Sequence, residues 1–65
     1  MADEILQEIA GDVKNIQVAI DRAKILISAM KEAGEDTHEM EADIRLLEVR
    51  KTKWERMLKA RGISI

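Results

Sequence analysis

Apolar residues recur along the first half of the chain at alternating steps of three and four. The row is Leu6, Ile9, Val13, Ile16, Ile20, Ala23, Ile27 and Met30. This spacing keeps all its members on one side of an α-helix, and its persistence is typical of helices that pack lengthwise against a partner. The pattern predicts a first helix from about residue 3 to 33. The helix is expected to continue through Gly11, because the apolar phase is unbroken there.

A second apolar row follows a short polar break. Gly34 suits the left-handed position just past a helix end, and Asp36 followed by Glu39 resembles a capping box. The second row is Met40, Ile44, Leu47, Lys51, Trp54 and Leu58. After it, Gly62 and Ile63 have the pattern of a C-terminal cap with its hydrophobic contact. A second helix is therefore expected from about residue 37 to 61, and so short a connection makes the two helices antiparallel.

The predicted fold is all-α, an antiparallel two-helix hairpin that forms one domain over residues 1–65 and assembles into a four-helix bundle or a larger helical complex. A turn near residue 35 places residue i beside about residue 70 − i. Trp54 then lies in the seam against Ile16 and Ala19, and Lys51 lies opposite Ile20. Either the Lys51 stem follows the seam with its ammonium in water, or Lys51 is a polar residue of the seam that fixes the helix register or the oligomeric state.

The helices carry more apolar residues than one seam can bury. Domains of this size generally need disulfides, a metal or a partner, and the chain contains no cysteine. The residues expected to form an interaction surface are Val18, Ile25, Leu26, Ala29, Ala42, Leu46 and Val49. The favoured function is a small structural or adaptor protein that acts through helix–helix contacts, either as a homo-oligomer, a dimer in the simplest case, or with another helical protein.

Charge gives an alternative function. The net charge of −2 provides no general attraction to nucleic acid or acidic lipid. The second helix is acidic at its start and basic towards its end, which complements the helix dipole. The alternative is a small regulator that binds nucleic acid through this basic end, and it is not favoured because the bases spread around the helix. The candidate contacts are Arg50, Lys53, Arg56, Lys59 and Arg61.

Catalytic and metal-binding patterns are not found in the sequence. The single histidine, His38, has no nucleophile beside it, and the spacing of Glu35 and His38 matches a di-iron motif only in part because Glu35 falls in the turn. No enzymatic activity, cofactor or metal is therefore expected. Apolar runs fall far short of the ~18 residues that span a bilayer. Asp3 and Glu4 stand where a signal peptide carries bases, so we expect a cytoplasmic protein without membrane contact.

In size and layout, the predicted hairpin resembles the Rop family, whose helical hairpins dimerise into four-helix bundles. That resemblance implies a homodimer, and it also implies nucleic-acid binding for a Rop-like regulator. The hairpin subunits of secretion-apparatus chaperones are similar in size, and this likeness implies a subunit of a heteromeric complex. Both resemblances concern architecture and not individual residues.

Overall fold

The computed structural model describes residues 2–64 and contains two α-helices joined by a short turn. Helix α1 spans Ala2–Glu32 and helix α2 spans His38–Ala60, so each end lies within one residue of its predicted position. Helix α1 passes through Gly11 without interruption. The helices pack against each other, and the Cα trace measures 49 × 15 × 13 Å. The all-α hairpin is confirmed, and it is a single layer two helices wide.

A glycine lies two residues after the last residue of each helix, as predicted. Gly34 has a φ of 83° and Gly62 has a φ of 79°, in the left-handed region where a side chain would be strained. After each glycine the backbone forms the Schellman arrangement that satisfies the last carbonyls of the helix. At the end of α2, the N–H of Ile63 donates to the carbonyl of Leu58 at 2.9 Å. Both side chains are buried in one cluster, so the predicted hydrophobic contact of this cap is confirmed.

The start of α2 differs from the predicted capping box. The N-cap is Thr37, and Asp36, one residue before it, accepts a hydrogen bond from the His38 N–H through its Oδ1 at 3.0 Å. The second half of the box was assigned to Glu39, and this part of the prediction is wrong. Instead, the hydroxyl of the buried residue Thr37 donates to Glu41 Oε1 at 2.8 Å. The first turn of α2 is thus fixed by Glu41, two residues after the predicted partner.

The core consists of one row of residues from each helix, which we call the central row. Its members recur every seven residues, the repeat that keeps a side chain on the same side of a packed helix. They are Leu6, Val13, Ile20 and Ile27 in α1, Thr37 at the N-cap of α2, and Ile44, Lys51 and Leu58 in α2. Ile20 and Leu58 are fully buried. Leu58 lies in a cluster with Ala10, Val13 and Ile63, where the end of α2 meets the first half of α1.

We expect Gly11→Ala to raise the free energy of unfolding by about 1 kcal/mol, because glycine is the less favourable residue in a helix interior. A Cβ at this position would meet nothing within 4 Å, so no packing cost opposes the gain. Thermal unfolding should show a midpoint roughly 4–8 °C higher. Gly34→Ala is the control and should destabilise by about 1–2 kcal/mol, because alanine is strained at positive φ. A stabilised Gly34→Ala variant would contradict the assigned cap.

Candidate interaction surface

A second row of apolar residues runs beside the central row on each helix. These residues lie three positions after a member of the central row, or four before the next, which turns them about 40–60° to one side. They are Ile9, Ile16, Ala23 and Met30 in α1, and Met40, Leu47 and Trp54 in α2. We call these seven residues the apolar face. Six of them are half-buried, and Trp54 is exposed over 44% of its surface.

The two halves of the apolar face lie on the same side of the hairpin. A shallow cleft between the helices is lined by Ile9, Asp12, Val13, Ile16 and Trp54. This grouping joins residues of the α1 row with a residue of the α2 row. The two rows therefore form one continuous strip over the groove between the helices, and the strip is open to solvent along its outer side.

Trp54 occupies this strip and not the seam, where it was predicted. One of its two predicted neighbours is confirmed, since it shares the cleft with Ile16, while Ala19 does not line this cleft. Its predicted burial is not confirmed, because 44% of the residue is exposed while Leu58, four residues later, is fully buried. With only one partner helix, the positions turned to one side of the seam remain uncovered. The prediction of a fully buried Trp54 is therefore wrong for the single chain.

The opposite side of the hairpin is polar. Positions four after the central row carry almost only polar side chains, namely Gln17, Lys24 and Lys31 in α1, and Glu41, Glu48 and Glu55 in α2. Two ion pairs cross between the helices here. Lys24 Nζ lies 3.6 Å from Glu48 Oε1, and Lys31 Nζ lies 2.6 Å from Glu41 Oε1. We call this side the polar face, and it needs no further protein to satisfy its groups.

Lys51 in the central row directs its charge towards the polar face. Its side chain is only 15% exposed, and Nζ donates to Glu55 Oε1 at 2.9 Å. The stem therefore lies along the seam, as the first of the two interpretations expected, but the ammonium pairs with Glu55 at the polar side instead of standing in water. A role for Lys51 in fixing the oligomeric state stays a prediction.

Glu41 links the turn to both helices. The hydrogen bond from Lys31 and, after it, the one from the Thr37 hydroxyl hold the pKa of the Glu41 carboxyl below its ordinary value of 4.5. Both donors interact best with the ionised carboxylate, so its protonation weakens both contacts. The Lys31 contact also connects the last turn of α1 with the first turn of α2, and it thereby supports the closed hairpin.

Acid is expected to weaken the hairpin partly through Glu41. Because its pKa is lower in the folded chain, its contribution to stability is present above pH 4.5 and is lost as the pH falls through the folded value. Thermal midpoints between about pH 7 and pH 3 should fall less steeply for Glu41→Gln than for the wild type. Glu39→Gln, which removes an acid from the same turn but keeps the Lys31 contact, is the control. Equal slopes for the wild type and Glu41→Gln would contradict this assignment.

The apolar face is broadened by the residues next to it. Positions one before the central row add the exposed side chains of Ile5 and Leu26 and the half-buried side chain of Met57. Ala19 and Ala33 lie at the same heptad position and are also exposed. Charged residues interrupt this border at four places, Asp12, Asp36, Asp43 and Arg50. The strip is thus several side chains wide, with a border that contains both acids and a base.

Most of the residues that the sequence suggested as an interaction surface lie outside the apolar face. The large ones are Val18, Ile25, Leu26, Leu46 and Val49, and each is exposed by half or more. Val18 and Ile25 precede members of the central row by two positions, a turn of about 200°, so they point away from α2. By the same count, Ala42 and Val49 point away from α1. Leu26 borders the apolar face, whereas the others, Ala29 among them, lie on the outer sides of their helices.

The basic residues at the end of α2 are exposed but do not form one surface. Arg50, Lys53, Arg56, Lys59 and Arg61 are all exposed, and within residues 2–64 none of them takes part in a salt bridge. Steps of three and two residues distribute them around the outside of the helix. The antiparallel arrangement also brings the acidic start of α1 to the same end of the molecule. Its four acids, Asp3, Glu4, Glu8 and Asp12, offset much of the local positive charge.

No group of three metal-ligating side chains is found among residues 2–64. Neither α1 nor α2 combines the length and apolar content that crossing a bilayer requires. The chain matches no protein-family model, no curated protein and no solved structure. The contrast between the apolar and polar faces is therefore the main structural indication of function.

Proposed function

We propose that this protein is a small structural or adaptor protein whose apolar face packs against other amphipathic helices. The observation that supports this function is the contrast between the two sides of the groove. One side carries ion pairs between the helices, and the other carries seven apolar residues at heptad spacing. Apolar rows at this spacing match the ridges of another helix, which makes a helical partner the appropriate occupant.

The size of the hairpin gives an energetic reason for such a partner. Two helices share one seam, and the fully buried side chains are few for a chain of 65 residues. Chains of this length usually gain the missing stability from disulfides, metals or association. Covering the half-exposed residues of the apolar face would stabilise the fold by roughly 25 cal/mol for each Å² of apolar surface removed from water.

Site-specific photo-crosslinking in the producing cell tests this function. A photoreactive amino acid replaces Leu47 on the apolar face or, as the control, Arg45 on the polar side of the same helix. We expect crosslinked protein from position 47 and little from position 45. Mass spectrometry should locate the bond on a partner segment with apolar residues at steps of three and four. Equal crosslinking at both positions, or none at position 47, would contradict the proposed function.

Nucleic-acid binding is the second candidate, and it is favoured by the exposed bases at the end of α2, which form no salt bridge within residues 2–64. If the protein binds nucleic acid in this way, gel shifts should weaken steeply as salt rises, because each phosphate contact releases counterions. Lys53→Gln combined with Arg56→Gln should then reduce the salt dependence. Binding that is undetectable at low salt would exclude this candidate and leave the helix-packing function unaffected.

A further inference from the structure

We infer that the occupant of the apolar face is a second copy of this chain, and that two hairpins pack through this face as a four-helix bundle. The inference rests on the proposed helix-packing function and specifies its partner. It also assigns the contact to the apolar face and not to the outer sides of the helices, where Val18, Ile25 and Val49 lie. Three properties of the described residues support it: the exposed area, the layer structure and the charges at the border.

The exposed area has the size that one dimer interface requires. The chain exposes 5175 Å². A compact monomer of 65 residues exposes roughly 4,200 Å², which is about 1,000 Å² less. A standard protein–protein interface buries about 800 Å² on each partner. One additional hairpin on one face therefore accounts for the excess, and a larger assembly is not needed to explain it.

The layer structure fits a copy of the same length and period. A stable domain generally has two layers of secondary structure around its core, and this hairpin is one layer, 15 × 13 Å in cross-section over a length of 49 Å. A second hairpin brings two more apolar rows of identical spacing and equal length. The four rows then meet around one core, as the rows of four-helix bundles do. The exposed ring of Trp54 would become part of that core.

The charges at the border suit self-association. A surface with one sign of charge repels its own copy, whereas this border carries the acids Asp12, Asp36 and Asp43 together with the base Arg50. In a two-fold symmetric contact each of these residues occurs twice, so acids and bases of the two copies are available to each other. The polar face already pairs its own charges, through Lys24 with Glu48 and Lys31 with Glu41, and therefore gives no comparable reason to associate.

Sedimentation equilibrium of the full chain from low to high micromolar concentration tests this inference with two pairs of neighbouring variants. Leu47→Glu alters the apolar face, and Leu46→Glu, next to it, alters the outer side of α2. Leu26→Glu and Ile25→Glu form the second pair, and both of these residues are already more than half exposed, so neither change should unfold the hairpin. Helix content by circular dichroism is recorded for each variant.

We expect a dimer for the wild type, Leu46→Glu and Ile25→Glu. Leu47→Glu and Leu26→Glu should raise the dissociation constant roughly a hundredfold or more, because each buries an unpaired carboxylate in the contact. A folded wild-type monomer over the whole range would overturn the inference. Dissociation by Ile25→Glu and Leu46→Glu, with Leu26→Glu and Leu47→Glu still dimeric, would overturn the choice of face and support the surface suggested by the sequence.

The crosslinking experiment separates failure of this inference from failure of the proposed function. If the product formed at position 47 contains only this chain, the second copy is supported. If it contains only a different helical protein, the second copy is wrong while the helix-packing function stands. If position 47 gives no product, both proposals fail.

Discussion

Leu58→Ala is expected to destabilise the hairpin by about 2–5 kcal/mol, as truncations of fully buried leucines do. Leu58 is 0% exposed and packs with Ala10, Val13 and Ile63. It is also the residue whose carbonyl accepts the hydrogen bond that closes α2. The truncation would leave a cavity between the helices and would loosen the cap. Because small domains have only a few kcal/mol of stability in total, the truncation should remove a large part of the free energy of unfolding.

Leu46→Ala is the matched control for this prediction. The change is chemically the same and lies in the same helix, but Leu46 is 65% exposed. Substitutions at such positions usually change stability by less than about 0.5 kcal/mol. Urea unfolding followed by circular dichroism gives both values, since helix signal is lost with the fold. Similar losses for the two variants would show that the buried row of α2 has been assigned to the wrong side of the helix.

The helices and their ends could be predicted because their signals are local. Heptad spacing gives the helices, and Gly34 and Gly62 provide the positive φ that the ends require. The contact of Ile63 with the end of α2 depends on residues only five positions apart. Each of these features is set by neighbours in the sequence and needs no knowledge of how the helices pack.

The start of α2 and the two faces depend on contacts between the helices, so the sequence did not predict them. Glu41 is held by Lys31, a partner ten residues away on the other helix, and the local pattern of Asp36 and Glu39 cannot indicate this. The faces arise from a rotation of about 40–60° between neighbouring rows. In the sequence, Trp54 and the central row look like one stripe, and only packing shows which part of it α1 covers.

An excess of apolar residues was visible in the sequence, but its location was not. Composition and period show that one seam cannot bury all the apolar side chains. They do not show which exposed rows of the two helices meet on one side of the hairpin. In the antiparallel pair, the positions three after the central row of each helix share one groove, and the positions four after it share the other. The ion pair of Lys24 with Glu48 and the cleft beside Trp54 establish this arrangement.

The effect of Trp54→Ala should depend on protein concentration. In the separate hairpin, 44% of Trp54 is exposed, so truncation removes only part of its packing and should cost roughly 1–2 kcal/mol. In a dimer formed through the apolar face the ring becomes buried, and the cost should approach the 3–5 kcal/mol typical of buried aromatic residues. Urea unfolding at low and high micromolar concentration gives both values, with Leu58→Ala as the control whose packing within one chain makes its cost independent of concentration.

The fluorescence of Trp54 gives a second measurement of the same prediction. It is the single tryptophan of the chain and the chain contains no tyrosine, so emission reports on this side chain alone. We expect the emission maximum to shift to the blue as concentration rises, because association transfers the ring from water into an apolar contact. Leu26→Glu should keep the emission of the separate hairpin at all concentrations, and Ile25→Glu should follow the wild type. A maximum that stays constant while the protein dimerises would show that the dimer forms through a surface that does not include Trp54.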